Sequence, residues 1–206
     1  MADLRVDLGA LARSLEADWE EALAALQILL AGVDARVAET TASLALPCHR
    51  GCDACCHESV FVTPLEFMAA WDYAQRNLDD ATLQRVIQGG LALYGEHRAA
   101  IEALLQPPPD GAADHFAIAR ELRFTCPLLD GQGGCLVYPA RELYARLFGC
   151  SFNDAGGIYG CELVGAHLAE REVTLLSARG SARRLQDLPL TFMRQVYPYY
   201  IHLLYG

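Results

Sequence analysis

The sequence predicts a mainly helical chain, folded as one domain and interrupted by a small β-hairpin or knuckle. Three observations carry that expectation. Leu8, Leu11, Leu15, Trp19, Leu23, Leu26 and Leu30 recur at steps of three and four residues, the spacing of one helix face. Thr63-Pro64-Leu65-Glu66 combines an N-cap threonine, a proline at the first helical position and a glutamate placed to complete a capping box. Two short apolar runs, 124–129 and 135–138, flank Asp130-Gly131-Gln132-Gly133-Gly134, a segment rich enough in glycine to reverse the chain.

Each element follows in order. Residues 3–45 read as helix within an N-terminal helical region, 1–46. Glu16, Asp18, Glu20 and Glu21 lie on its wet face, Gly9 and Gly32 are its weak points, and Pro47 ends it. Residues 59–62 suit a short strand. The capping box then opens a helix that runs to about Asn77. A second helix is expected from about Asp80 to Gln106, weakened by Gly89-Gly90. Pro107-Pro108-Pro109-Asp110-Gly111 is a stiff connection. Cysteines lie on both sides of it, so all 206 residues are read as a single domain. A short helix is expected over 114–122 and another over 139–148. Between 149 and 187 the signals are sparse: Gly156-Gly157 suggests a turn and 173–176 a strand. A C-terminal aromatic helix is expected over 188–204. Its Tyr197, Tyr199 and Tyr200, with Tyr205 beyond, suit a core or a homodimer contact.

Composition removes several classes of function. Hydrophobic residues make up 53% and charged residues 20%, as in globular rather than disordered chains. A net charge of −10 opposes binding to nucleic acid or to an anionic membrane surface, both of which need basic contacts. The most apolar run, 22–33, is interrupted by Gln27 and stopped by Asp34, too short for the roughly 20 residues of a membrane span. The N-terminus lacks the basic and apolar regions of a secretory signal, so a cytoplasmic location is expected. There is no phosphate-binding loop, dinucleotide fingerprint or nucleophile elbow.

Eight cysteines stand out against that background. In a reducing compartment they point to metal, catalysis or burial rather than to disulfides. Cys48, Cys52, Cys55 and Cys56 fall within nine residues, which burial alone does not explain. Thiolates in so tight a run can face one metal, with Gly51 letting the backbone turn closely around it. Cys55 and Cys56 are adjacent, so their side chains are expected to diverge. Cys126 and Cys135, at the two feet of the expected hairpin, would supply the distant half of the site. A closed zinc site and a [4Fe–4S] cluster both take four thiolates. Six candidates for four places favour iron–sulfur slightly. Cys150 and Cys161 are isolated, and burial is the first expectation for each. His49 and His57 flank the run and are expected mainly beside the ligands or on the surface. Arg141 and Arg146, read as lying on one helix, could neutralise a thiolate centre or bind an anion, and Tyr138 would pack beside it. The spacing of Cys48, Cys52 and Cys55 also fits radical S-adenosylmethionine enzymes. Against that stand Ala54, where an aromatic is usual, and a chain too helical and too short for a βα barrel.

The set as a whole resembles the YkgJ-type cysteine-cluster family. The residues concerned are Cys48-x3-Cys52-x2-Cys55-Cys56, Cys126-Pro127-Leu128-Leu129, Cys135-x2-Tyr138-x2-Arg141 and Arg146-x-Phe148. The likeness covers residues 48–62 and 124–150. It differs in having Glu142 after Arg141 where the family commonly has proline, and Ala145 before Arg146 where it commonly has cysteine. Cys150, five residues beyond Ala145, is the candidate to replace that thiol. The resemblance implies a zinc- or iron-chelating domain. Flagellin N-methylase carries a similar cluster, which adds a protein lysine N-methyltransferase acting on a protein substrate as an alternative. A metallochaperone or metal sensor that hands its metal to a partner is a third.

Overall fold

The computed structural model describes residues 4–105, 122–152 and 156–206, and within them the fold is mainly helical with two small sheets. The stiff segment expected at 107–111 and most of the helix expected at 114–122 lie outside the described residues. Eight α-helices are described: α1 Leu8–Ser14, α2 Trp19–Thr41, α3 Pro64–Asn77, α4 Asp80–Ala103, α5 Leu143–Leu147, α6 Glu162–Leu168, α7 Ala178–Gln186 and α8 Tyr197–Tyr205. The strands are β1 Phe61–Val62, β2 Ser151–Phe152, β3 Ile158–Tyr159, β4 Leu176–Ser177 and β5 Gln195–Val196.

The first helical stretch is two helices, and glycine does not divide them. Leu15 closes α1 with its N–H on the carbonyls of Ala12 and Arg13, and Glu16 turns back at φ 59°. Asp18 then caps α2 by accepting from the Glu21 N–H at 2.8 Å. Nor does Pro47 end α2. The helix stops at Thr41, and Ala45 takes a φ of 46°. The capping box of α3 forms as expected: the Thr63 hydroxyl accepts from the Glu66 N–H at 3.2 Å, and Glu66 accepts the Thr63 N–H at 2.9 Å.

Gly89-Gly90 does not break α4, because both glycines serve packing. A Cβ on Gly90 would lie 3.0 Å from the Ile201 side chain, so its absence brings α8 close. Gly89 faces Pro127, and Arg85 on the same helix donates to the Pro127 carbonyl at 3.3 Å. α4 therefore backs the segment that carries Cys126.

The main core gathers Leu26, Leu65, Trp71, Leu83, Leu143 and Ile201, each essentially buried. Burying each such side chain contributes about 1.5–3 kcal/mol. Phe67 stacks on Trp71 at 6.1 Å and on Tyr200 at 5.0 Å. Tyr197 and Tyr200 are buried here, and the Tyr205 hydroxyl donates to the Leu4 carbonyl at 2.6 Å. The C-terminal tyrosines thus serve the core. The helix holding them starts nine residues later than the expected 188, after β5 has paired antiparallel with β1, Phe61 opposite Val196. The expected strand at 173–176 shortens to β4, which runs parallel to β2, while β3 pairs antiparallel on the other side of β2.

The helix expected over 139–148 also divides. A 3-10 turn, Tyr138–Ala140, comes first, Arg141 is extended, and Glu142 caps α5 by accepting from the Tyr144 and Ala145 N–H groups. Glu66 reaches across from α3 to accept the Leu143 N–H at 3.0 Å, tying the two helix starts together. This brings two buried carboxylates near each other. Burial first, and the Glu66 charge second, push the Glu142 carboxyl up to about 8. A carboxyl raised on folding binds its proton more tightly in the native state, so its contribution to stability declines as pH rises from about 4.5 to 8. Urea midpoints should therefore fall across that window. Glu142→Gln should flatten the profile.

Candidate metal centre

Local backbone geometry shapes the 48–56 loop. The Cys52 N–H closes a turn on the His49 carbonyl at 3.0 Å, Gly51 sits at φ 92°, and a 3-10 turn, Ala54–His57, follows. The histidines are held within their own surroundings. His49 Nδ1 lies 2.9 Å from the Pro47 carbonyl. The His57 ring sits between the Thr125 hydroxyl at 3.2 Å and Asp53 at 3.3 Å.

The expected hairpin is a tight knuckle with a single bridge, Leu129 opposite Cys135. Asp130 organises it, one carboxylate oxygen accepting the Gln132 and Gly134 N–H groups at 2.7 Å each. The knuckle docks on the loop directly. The Cys126 N–H donates to the Cys56 carbonyl at 2.8 Å, and a Cβ on Gly133 would stand 2.6 Å from the Gly51 carbonyl oxygen. The two glycines are what permit the two cysteine-bearing segments to touch.

A third segment joins them. The Gly149 N–H donates to the Tyr159 carbonyl at 2.6 Å, and the β2–β3 pairing brings Cys150 and Cys161 to one end of the hairpin. A Cβ on Gly149 would lie 4.0 Å from Cys48 Sγ. Cys161 is among the thiols whose charge acts on Cys48, and Cys48 in turn acts on Cys150. Cys161, for which burial is the first expectation and ligation the second, is half-buried here. A usable signal was its position with Cys150 on either side of the Gly156-Gly157 turn.

Electrostatics links the thiols in two sets: Cys55, Cys126 and Cys135 act on Cys56 and on one another, while Cys161, Cys52 and Cys55 act on Cys48, which acts on Cys150. All eight are free thiols. Arg141 acts on Cys48, Cys55, Cys135 and Cys150. Its guanidinium stacks 3.7 Å above the exposed Tyr138 ring. Arg146 has a different task. It is buried, pairs with Asp34 and donates to the carbonyls of Pro139 at 2.6 Å and Arg141 at 2.7 Å. It clamps the turn that presents Arg141.

The Cys55 and Cys56 thiols lie near enough to act on each other. That interaction, with the Cys55 N–H and Arg141 assisting against burial, lowers Cys55 to about 6 and pushes Cys56 strongly up. Burial raises Cys126 to about 12 and Cys150 to about 11, and raises Cys48 and Cys135 as well. The Leu128 N–H faces the Cys126 sulfur and the Val137 N–H that of Cys135, while the Leu129 N–H donates to the Cys126 carbonyl at 3.0 Å. In metal-free protein at pH 7, iodoacetamide should therefore label Cys55 at least about tenfold faster than Cys126 or Cys150. Peptide mass spectra from a time course will check this.

The donor set has the chemistry of a soft-metal site. Among the described residues, however, no three Cys, His, Asp or Glu side chains are already arranged around a common metal position. The Tyr197 hydroxyl is buried nearby with no hydrogen-bond partner, and Cys126 and Cys135 are the charged groups acting on it most. No helix among the described residues is long and apolar enough to cross a membrane. No protein-family model, curated protein or solved structure matches the chain.

Proposed function

We propose that this chain holds an iron–sulfur cluster or a zinc or iron ion through cysteine thiolates, with iron–sulfur favoured. The observation that carries the reading is that free thiols from the 48–56 loop, the knuckle and the 150–161 segment act on one another, with one guanidinium, Arg141, acting on Cys48, Cys55, Cys135 and Cys150. Reduced thiols gathered in this way have a use where the compartment keeps them reduced, which points to the cytoplasm.

Cys55, Cys56, Cys126 and Cys135 are the set that would hold the group. Cys48, Cys52 and Cys150 supply further thiolates beside it. The bound group would bring charge neutralisation and, for iron–sulfur, electron transfer. The chain's own contribution is to donate N–H groups to the Cys126 and Cys135 sulfurs and to set Arg141 against the negative charge of the thiolates. Binding requires the side chains to turn inward and to release their protons, so affinity will rise with pH.

The test is protein purified without oxygen, assayed for iron, zinc and acid-labile sulfide per chain. Iron with sulfide and a broad visible absorption establishes a cluster. About one zinc per colourless chain establishes a zinc site. Neither metal in purified protein, nor after reconstitution, overturns the proposal.

A further inference from the structure

α2 is apolar on the side turned away from the core as well as on the side turned toward it. From Ala22 to Val33 it holds no charged residue. Leu26, Leu29, Leu30 and Val33 account for the inner side of that run, where all four are buried. The outer side consists of Ala24, Gln27, Ile28, Ala31 and Gly32, every one exposed. Ile28 is 71% exposed, more than any other large hydrophobic side chain among the described residues. A Cβ on Gly32 would meet nothing within 4 Å. The wet face of a helix is normally charged, and a helix apolar all round is normally covered.

The charges around Ile28 indicate the cover. Glu21 lies about 10 Å from it toward the N-terminus of α2, and Arg36 about 12 Å toward the C-terminus. At about 100° per residue, Glu21 is turned about 20° and Arg36 about 80° from the Ile28 direction, both in the same sense. Asp18 and Glu20 add to the acidic end, and all three carboxylates are exposed. At the other end Arg36 shares a recess with Ser177 and Ser181 of α7, the helix that carries the exposed Arg179, Arg183 and Arg184. Those arginines outweigh Glu39, and Asp34 is already paired with Arg146. Glu21 and Arg36 stand about 22 Å apart along one rigid helix, so they do not meet within one chain. A two-fold axis beside Ile28 brings the acidic end of each copy against the basic end of the other.

We propose that the outer face of α2 is the interface of a homodimer, in which two copies pack α2 antiparallel about a two-fold axis beside Ile28. Each Ile28 sits over the small Ala24, Ala31 and Gly32 positions of the other copy, and Glu21 of each faces Arg36 of the other. The contact is isologous, so every complementary pair occurs twice. Small residues let the two helix axes approach closely. One helix pair flanked by α7 is smaller than the roughly 800 Å² per partner of a stable interface, so the dimer is expected to dissociate in the micromolar range. The proposal does not depend on the metal reading.

Sedimentation velocity in reductant, as purified and after chelation, over about 1–300 µM protein, tests it. Wild type should pass from monomer to dimer, and Ile28→Glu, a helix-compatible change at an exposed position, should weaken association at least about tenfold. Glu21→Arg and Arg36→Glu should each weaken it about five- to tenfold, and the double reversal should restore it to within about threefold of wild type. Urea midpoints of all variants should match wild type within the spread of surface substitutions. Wild type that stays monomeric throughout overturns the proposal, and if Ile28→Glu then lowers the urea midpoint, the chain itself covers the face. A dimer that Ile28→Glu leaves intact also overturns it, as does a double reversal no better than the single ones.

Discussion

Cys126→Ser is expected to empty the site, taking metal from about one equivalent per chain to below about a tenth. Two features make this thiol hard to replace. Its sulfur faces the Leu128 N–H, and its own N–H holds the knuckle to the Cys56 carbonyl. Serine retains the backbone contact and the approximate volume, so the metal-free protein should lose only about 1 kcal/mol. A serine hydroxyl does not ionise at neutral pH and will not replace a thiolate. A metal at about 1,000 times its dissociation constant stabilises the folded state by about 4 kcal/mol. Loss of that contribution should lower Tm by about 10 °C for a chain of this size. Elemental analysis and paired thermal scans will read both effects. Retained stoichiometric metal and an unchanged Tm would remove Cys126 from the ligand set.

Glu66→Ala should be the most damaging substitution away from the cysteines. The Glu66 carboxylate accepts the Thr63 N–H and hydroxyl at 2.9 Å each and the Leu143 N–H at 3.0 Å, all in buried surroundings. Alanine strands the Thr63 and Leu143 N–H groups, at about 1–3 kcal/mol each, and leaves space where the side chain was. Relief of repulsion with Glu142 offsets part of the loss. The expected net destabilisation is about 3–5 kcal/mol, read from urea midpoints. Glu66→Gln keeps one acceptor and should lose roughly half as much. A loss below about 1 kcal/mol in Glu66→Ala would mean that these bonds do not tie α3 to α5.

Legibility in the sequence followed the range of the interactions concerned. The α3 start was readable because threonine, proline and glutamate act within one turn. The fold class was readable because helix periodicity is local. The break between α1 and α2 was missed because it depends on Asp18 as a cap and on Glu16 at positive φ, not on either glycine. Gly89-Gly90 suggested weakness, yet a contact with Ile201, more than 100 residues away, gives Gly90 its purpose. At the candidate site, the 48–56 run announced itself by spacing. Cys161 did not, because only the β2–β3 pairing carries it toward Cys150 and the other cysteines. Arg141 and Arg146 looked alike on paper. The 3-10 turn and the Glu142 cap separate them, leaving Arg141 beside the thiols and burying Arg146.

The pairing of β1 with β5 also orders events at the ribosome. Phe61 and Val62 directly follow the 48–56 loop, and their partners Val196 and Gln195 are made more than 130 residues later. Cys126 and Cys135 therefore emerge, and the loop with them, well before the strand and helix that cover this side of the core exist. Until residues 195 and 196 are made, Phe61 and Val62 have no partner strand, and the edge that follows the cysteine-bearing loop stays unpaired.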